Sequence, residues 1–541
     1  MDKTVIEGCT APAIEYINGL ETQIGGLENK LDKMQAQVDR LTELLVLAQK
    51  ARFGSSSEQV KYVLSDEFEQ ETLFNEAEAC ANEDEPEPVI IEQHTRKQKR
   101  TKEELAKSLP VVEEIIDIPE DKRICDICEK IRHAIGKELV RRELCIIPAQ
   151  AYVKETYCIN YACGSCMDET DEANIIKPEV PEPVIKRGLA SPSSAAYVMY
   201  QKFVNGMPLY RQAKDWGTFG VQMSRATLAN WIIHTSLHWL LPLWKAFKAL
   251  LLKSEIILAD ETVVQVLKEL GKTPQSESRM WVYCTGNVVW PPPIVLFEYQ
   301  PSRAGAHPEA FLGDIIDPFY LHTDGYAGYS GVKNAVHGGC WAHLRRKFNE
   351  AMPKNAPEDN CARIGFTYCE KLFMLEREFE KMDPDKRLEM RLKKSKPVLD
   401  KFYEWVETVN PLAGSKLAIA ITYAVNQKKP LSTFLLDGRI EISTNRIENK
   451  IRPFACGRRA WLFADTVDGA RSSAIAYSIV QTAVVNGLNP YQYLLHLFTH
   501  LPSILTKEPG ADLSPFYPWS EEVQSKCKYA QGAKGQLTLL G

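Results

Sequence analysis

Three carboxylates stand where chemistry is possible. Asp260 closes the apolar run Ile256-Ile257-Leu258-Ala259. Asp324 follows Phe319-Tyr320-Leu321-His322-Thr323. Glu448 lies in Ser443-Thr444-Asn445-Arg446-Ile447-Glu448-Asn449, the opening turn of an expected helix. Two acids delivered to neighbouring strand ends repel each other unless a cation neutralises them. Mg²⁺ (or Mn²⁺) suits such a set, being hard, oxygen-seeking and readily shared with substrate phosphate. Paired metals can serve in-line displacement at phosphorus by activating one oxygen and stabilising another. Each acid also has a plain reading as a turn former or helix cap, and Asn445-x-x-Glu448 fits a capping box. Arg452, Arg458 and Arg459 beyond Glu448, and Arg345, Arg346 and Lys347 in an expected basic helix, suit phosphate contacts. A solvated basic face is the ordinary alternative for Arg452, Arg458 and Arg459. His337, Cys340 and His343 are assigned to packing or DNA contact, because no fourth ligand completes a metal cluster.

A second set of residues could hold a different metal. Cys125-Asp126-Ile127-Cys128 and Cys163-Gly164-Ser165-Cys166 are two CxxC knuckles in one small segment. Each turns two thiolates toward one ion, and together they supply the four ligands of a structural tetrahedral zinc. A module this small, at residues 109–170, needs its metal to fold. Cys145 and Cys158 are left to packing.

The elements that must position the acids follow from periodicity. Residues 255–259, 280–285, 293–299, 319–322 and 335–338 have strand character and suggest a mixed α/β sheet within a domain at 251–490. Helical text at about 350–440 reads as an insertion in that domain. Residues 188–250 read as helical, with Ser224 a cap before Thr227-Leu228-Ala229-Asn230-Trp231. That pattern is compatible with the second helix of a helix-turn-helix, or with a plain helical pair. Residues 491–541 give a Leu-rich helix and an irregular tail.

Upstream, residues 14–50 carry a heptad seam of Ile17, Leu20, Ile24, Leu27, Leu31, Met34, Val38, Leu41 and Leu45, which argues for a coiled coil and self-association. Residues 51–108 read as a short signature and a disordered linker, acidic from Asp66 to Glu92 and basic from Arg96 to Lys102. A formal net charge of −6 does not advertise a nucleic-acid binder, and this asymmetry is hidden in the sum. No apolar run approaches the ~20 residues of a membrane helix. The N-terminus lacks a signal-peptide pattern, so a cytoplasmic location is expected. Fourteen Cys in 541 residues is not a disulfide scaffold.

Several motifs together resemble one family. Arg52-Phe53-Gly54-x-Ser56-Ser57-Glu58, the two CxxC pairs, Pro208-Leu209-Tyr210-Arg211-Gln212 and Ala259-Asp260-Glu261-Thr262 are similar to segments of the insertion sequence 66 family of transposases. So are Thr323-Asp324-Gly325-Tyr326-Ala327-Gly328-Tyr329, Gly339-Cys340-Trp341-Ala342-His343-Leu344-Arg345-Arg346-Lys347-Phe348, Asn445-x-x-Glu448-Asn449-x-Ile451-Arg452-Pro453 and Gly457-Arg458-Arg459-Ala460-Trp461-Leu462-Phe463-Ala464. The departures are Glu129, where the family has Gly, and Asn449 and Lys450, where it more often has Arg.

The resemblance implies a ribonuclease-H-like catalytic core with an Asp-Asp-Glu triad falling on Asp260, Asp324 and Glu448. It implies metal-dependent cleavage at insertion-sequence ends and strand transfer of the freed 3′-hydroxyl into target DNA. Multimeric assembly on paired ends and accessory proteins of the same element are implied as well. Two other readings stay open at this point: a non-catalytic zinc-containing DNA-binding protein or repressor, and a metal-dependent nuclease without strand joining.

Overall fold

The structure, a computed structural model, describes residues 151–162, 175–176 and 178–529. The coiled coil expected at 14–50, the linker at 51–108 and the four Cys expected to bind zinc lie outside the described residues. Tyr161–Ala162 pairs antiparallel with Ile175–Ile176. The described residues divide into two compact units, one holding 151–337 and 439–529 and the other 338–438.

The described part of the larger unit opens with helices α1 (Pro192–Phe203), α2 (Leu209–Thr218), α3 (Arg225–Thr235) and α4 (Leu241–Leu251). Ser191 and Ser224 cap α1 and α3, each hydroxyl accepting from the backbone N–H three residues on. Gly220, at φ +85°, turns the chain between α2 and α3, whose Trp216 and Trp231 rings meet edge to face at 6.0 Å. The sheet follows: β1 (Ile256–Lys268), β2 (Glu277–Thr285), β3 (Val295–Gln300), helix α5 (Ala306–Leu312), β4 (Phe319–His322) and β5 (Ala335–Gly338). Its order is β3-β2-β1-β4-β5, with β1 antiparallel to β2 and parallel to β4.

One expectation is corrected here. Asp260 does not end a strand; it is the fifth residue of the 13-residue β1. Thr262, Val264 and Val266 alternate buried with half-buried neighbours, so the strand continues as one arm of a long hairpin with β2. What does end near Asp260 is the pairing of β1 with β4, at Leu258↔His322.

The smaller unit is helical among its described residues, built from α6 (Trp341–Ala351), α7 (Cys361–Phe379), α8 (Pro384–Met390), α9 (Lys396–Thr408) and α10 (Lys416–Asn426). Its core is aromatic: Phe402 lies within 5.0–6.2 Å, centroid to centroid, of Trp341, Phe348, Tyr368, Tyr403 and Trp405. Arg391 is fully buried, and it is tolerated because Glu376 meets it with two hydrogen bonds, at 2.8 and 2.7 Å, and the Phe434 carbonyl accepts at 2.8 Å.

The larger unit then resumes with α11 (Asn445–Trp461), β6 (Ala464–Thr466), α12 (Val467–Val485), α13 (Pro490–Lys507) and α14 (Glu521–Lys526). Strand β6 runs parallel to the far end of β1, at Val266 and Lys268. Helix α12 is buried along most of its length and covers the outer edge of β3. Its Ser478 hydroxyl accepts from the Phe297 N–H at 2.7 Å, and its Thr482 hydroxyl accepts from the Val295 N–H at 3.1 Å. The edge of the sheet is therefore satisfied by side chains rather than left open. No helix among the described residues is long and apolar enough to cross a membrane.

Candidate active site

Asp260 and Asp324 are set by one register. Parallel pairing runs Ile256↔Tyr320, Ile257↔Leu321, Leu258↔His322, so each chain presents an Asp two residues past its last partner. Neighbouring strands lie about 4.8 Å apart, which brings the two carboxylates to one rim. Each is oriented locally. The Glu261 N–H donates to Asp260 Oδ1 at 2.8 Å, and the Tyr326 N–H donates to Asp324 Oδ1 at 2.9 Å in an Asx turn followed by Gly325 at φ +93°. Both charges are felt by the Tyr329 phenol, which burial, then Glu261, Asp260 and Asp324 push well above its ordinary range.

Glu448 approaches along α11, which packs on β1 and β2. Near its C-terminal end, Arg458 donates to the Val263 carbonyl and, at 3.5 Å, to the Thr262 hydroxyl. The chain then enters β6 beside Val266, so helix and strand advance in the same direction. Ten residues of helix before Arg458 span about 15 Å, which equals four to five residues of strand. On that rise the opening turns of α11 run alongside residues 258–260 of β1. Arg446 and Lys450, in the first two turns of α11, line a cavity of about 450 Å³ with Cys284, the β2 partner of Leu258. Burial pushes the Cys284 thiol up to about 12, with Arg446, Lys450 and Asp260 all near enough to act on it.

The capping-box reading of Glu448 fails on geometry. The N-cap is Thr444 rather than Asn445, and no side chain caps the helix. The Thr444 hydroxyl instead donates to Glu448 Oε1 at 3.3 Å.

Glu261 belongs to the site as well, and the sequence reading gave it no role. Its side chain is only 3% exposed, held by Arg303 Nε at 2.8 Å and the Tyr329 hydroxyl at 2.7 Å. The Arg303 guanidinium lies 3.9 Å from the Tyr326 ring centroid, and the Tyr326 hydroxyl donates to the Arg303 carbonyl at 2.6 Å. Burial first, then the charge of Asp324, holds Glu261 above the usual carboxylate range against the pull of Arg303. The available signal was the acidic doublet itself. Adjacent strand residues point to opposite faces, so one of two neighbouring acids had to be buried and needed a cation.

These acids, this register and this sheet coincide with a family match. Residues 187–472 match the model described as "Transposase IS66 family". The chain belongs to the IS66 family of transposases. Residues 478–519 match the "IS66 C-terminal element" and residues 40–113 match "Transposase C of IS166 homeodomain". Among curated proteins the chain is similar to "Uncharacterized protein y4qI" of Sinorhizobium fredii, 28% identical over 504 residues, covering 90% of this chain and 89% of that one. It is also similar to "Uncharacterized protein y4jD" of the same organism, 28% identical over 432 residues, covering 77% and 81%. IS66 membership carries a transposase role, with DNA as the partner and divalent metal as the family's means.

The remaining candidate residues of this IS66 chain divide by environment. In the larger unit Arg452 and Arg459 are exposed, while Arg458 is half-buried and turned onto β1. His337 is half-buried on β5. In the smaller unit Arg345 pairs with Glu370 and lies 4.6 Å from the Phe366 ring centroid. Lys347 sits 5.1 Å from the Tyr423 ring centroid, Arg346 and His343 are half-buried, and Cys340 is buried.

Proposed function

We propose that the chain is a divalent-metal-dependent DNA transposase whose reacting centre is formed by Asp260, Asp324 and Glu448. The observation that carries the reading is the parallel register of β1 and β4, which sets two carboxylates side by side at the rim. Two such acids favour a cation, and the carboxylate oxygens of Asp260 and Asp324 fit Mg²⁺ or Mn²⁺. The strand order, three antiparallel strands and then two beyond the first, supports a ribonuclease-H-like core. When bound, the metal supplies electrostatic stabilisation of the phosphoryl transition state.

The protein's own part is positioning. Strand β1 holds Asp260, the Asx turn holds Asp324, and the Thr444 hydroxyl orients Glu448. The Glu261–Arg303–Tyr329 cluster fixes the loop after β4 against β1. The reaction is cleavage at an insertion-sequence end, freeing a 3′-hydroxyl, followed by attack of that hydroxyl on target DNA. Arg345, Arg346, Lys347, Arg452, Arg458 and Arg459 are proposed for the DNA phosphates, Arg458 with part of its guanidinium committed to Val263. Cys125, Cys128, Cys163 and Cys166 are proposed to bind a structural Zn²⁺. Residues 14–50 are proposed to join copies of the chain, with accessory proteins of the same element as further partners.

The test is cleavage and joining of labelled DNA carrying the element's own ends, with Mg²⁺ or with EDTA, beside Asp260→Asn and Glu448→Gln. Metal-dependent nicking and joining, lost in both variants while DNA binding is kept, is the expected result. Nicking without joining would reduce the reading to a nuclease. Undiminished activity in Asp260→Asn would overturn the site.

A further inference from the structure

The far end of α11 carries a feature that the chemistry at its near end does not use. Leu462 leaves the helix at φ +63°, ψ −54°, with the Phe463 N–H donating to the Trp461 carbonyl at 2.8 Å. This is a γ-turn of the rare positive-φ kind, a conformation that costs a branched-chain residue strain. The strained residue is not there to fill the core: Leu462 is 62% exposed and Phe463 42% exposed. Two large apolar side chains are thus held outward at a tip. The tip is rooted, because Trp461 packs edge to face on Phe454 at 5.4 Å and Phe454 on Tyr477 at 5.3 Å.

The surface leading to that tip is equally particular. Asn445, Asn449, Arg452, Cys456 and Arg459 are exposed and spaced by four, three, four and three, so they form one stripe along the helix. Its exposed residues include no carboxylate; the half-buried Glu448, three residues after Asn445 and four before Arg452, borders it. The nearest acid past the tip, Asp465, is paired with Lys268 at 2.8 Å. A stripe of two amides, two guanidiniums and one thiol, ending in an apolar point, is complementary to a phosphate backbone beside a base stack. Fourteen residues separate Glu448 from Leu462, about 21 Å of helix, which equals about six base pairs at ~3.4 Å each.

We infer that Leu462 and Phe463 form a wedge that enters a base step of bound duplex DNA about six base pairs from the phosphate at the three acids, with the α11 stripe laid along the backbone. The inference rests on the transposase reading for where that phosphate lies. The wedge unstacks its step and bends the duplex.

The experiment uses the full chain and a duplex carrying one end of its own element with flanking DNA. Permanganate reactivity of thymines and 2-aminopurine fluorescence, scanned along the duplex, report unstacking. The wild type is expected to give one unstacked step five to seven base pairs from the nick. Leu462→Gly with Phe463→Ser is expected to abolish it. Leu462→Gly alone is expected to keep or raise the melting temperature, because glycine takes this backbone without strain. Arg452→Ala with Arg459→Ala should lower the slope of log K against log salt by about two. Unstacking that persists in the tip variant overturns the wedge. So does a drop in melting temperature for Leu462→Gly, or a tip variant that changes oligomeric mass with DNA distortion intact. Nicking at the expected phosphate without a distorted step would sink the wedge and leave the transposase reading standing. Distortion without any nicking would do the reverse.

Discussion

The Tyr329 hydroxyl donates to Glu261 at 2.7 Å, and through that bond the turn after β4 is tied to the strand that carries Asp260. Removing it should be felt twice. Tyr329→Phe leaves a buried carboxylate with one partner fewer, a loss of about 1.5–3 kcal/mol for a hydrogen bond to a charged group. Urea unfolding should register that loss, and calorimetric titration with Mn²⁺ should show weaker binding as the Asp324 turn loosens. Arg303→Ala should cost more, about 3–5 kcal/mol, because it strands the Glu261 charge. Unchanged Mn²⁺ affinity in Tyr329→Phe would mean that the cluster braces the fold without setting the site.

Glu298 on β3 gives a pH signature. Burial raises its carboxyl to about 7, and its Oε2 has no hydrogen-bond partner. Between about 4.5 and about 7 the folded chain keeps a proton that the unfolded chain has released, so this group makes stability fall as pH rises through that window. Glu298→Gln should therefore stabilise at pH 8, by roughly 1–3 kcal/mol, and leave stability at pH 4 unchanged. Equal gains at both pH values would show that the effect is packing and not titration.

Gly457 lies inside α11, where alanine normally gains about 1 kcal/mol of helix propensity. Here a Cβ would sit 2.7 Å from the Tyr477 hydroxyl oxygen and 3.1 Å from Trp461 Nε1. Tyr477 is fully buried and cannot step aside. Overpacking costs about 1–3 kcal/mol, so Gly457→Ala should lower the melting temperature on balance. A rise would show that the Tyr477 ring has room to move.

Ser478→Ala and Thr482→Val test the sheet edge. Each should orphan a buried backbone N–H, of Phe297 or Val295, at about 1–3 kcal/mol apiece. Their costs should be read by hydrogen exchange at those two amides, where protection is expected to fall. Retained protection would mean that water takes over the edge.

Much of the sheet was legible because strands betray themselves by composition. Phe319–His322 and Ala335–Gly338 were read to the residue. The long reach of β1 past Asp260 was not, because an acidic doublet interrupts the apolar run and looks like an end. Its continuation depends on Arg303, 42 residues away, neutralising Glu261. Likewise Thr444 supplies the N-cap because the preceding backbone arrives at that residue, which no local pattern distinguishes from Asn445. A long-range partner decided the first case, and such partners leave no mark on spacing.

The side-chain cover on β3 also sets a timetable. The strand is complete once Gln300 has been synthesised, yet Ser478 follows about 180 residues later. At ribosomal speeds of about 5–20 residues per second, that edge waits some 10–40 s with its amides open. A nascent chain in that interval is a template for pairing with its neighbours on a polysome. Synthesis rate, and whatever shields the growing chain, therefore bear on how much of this protein survives to meet DNA.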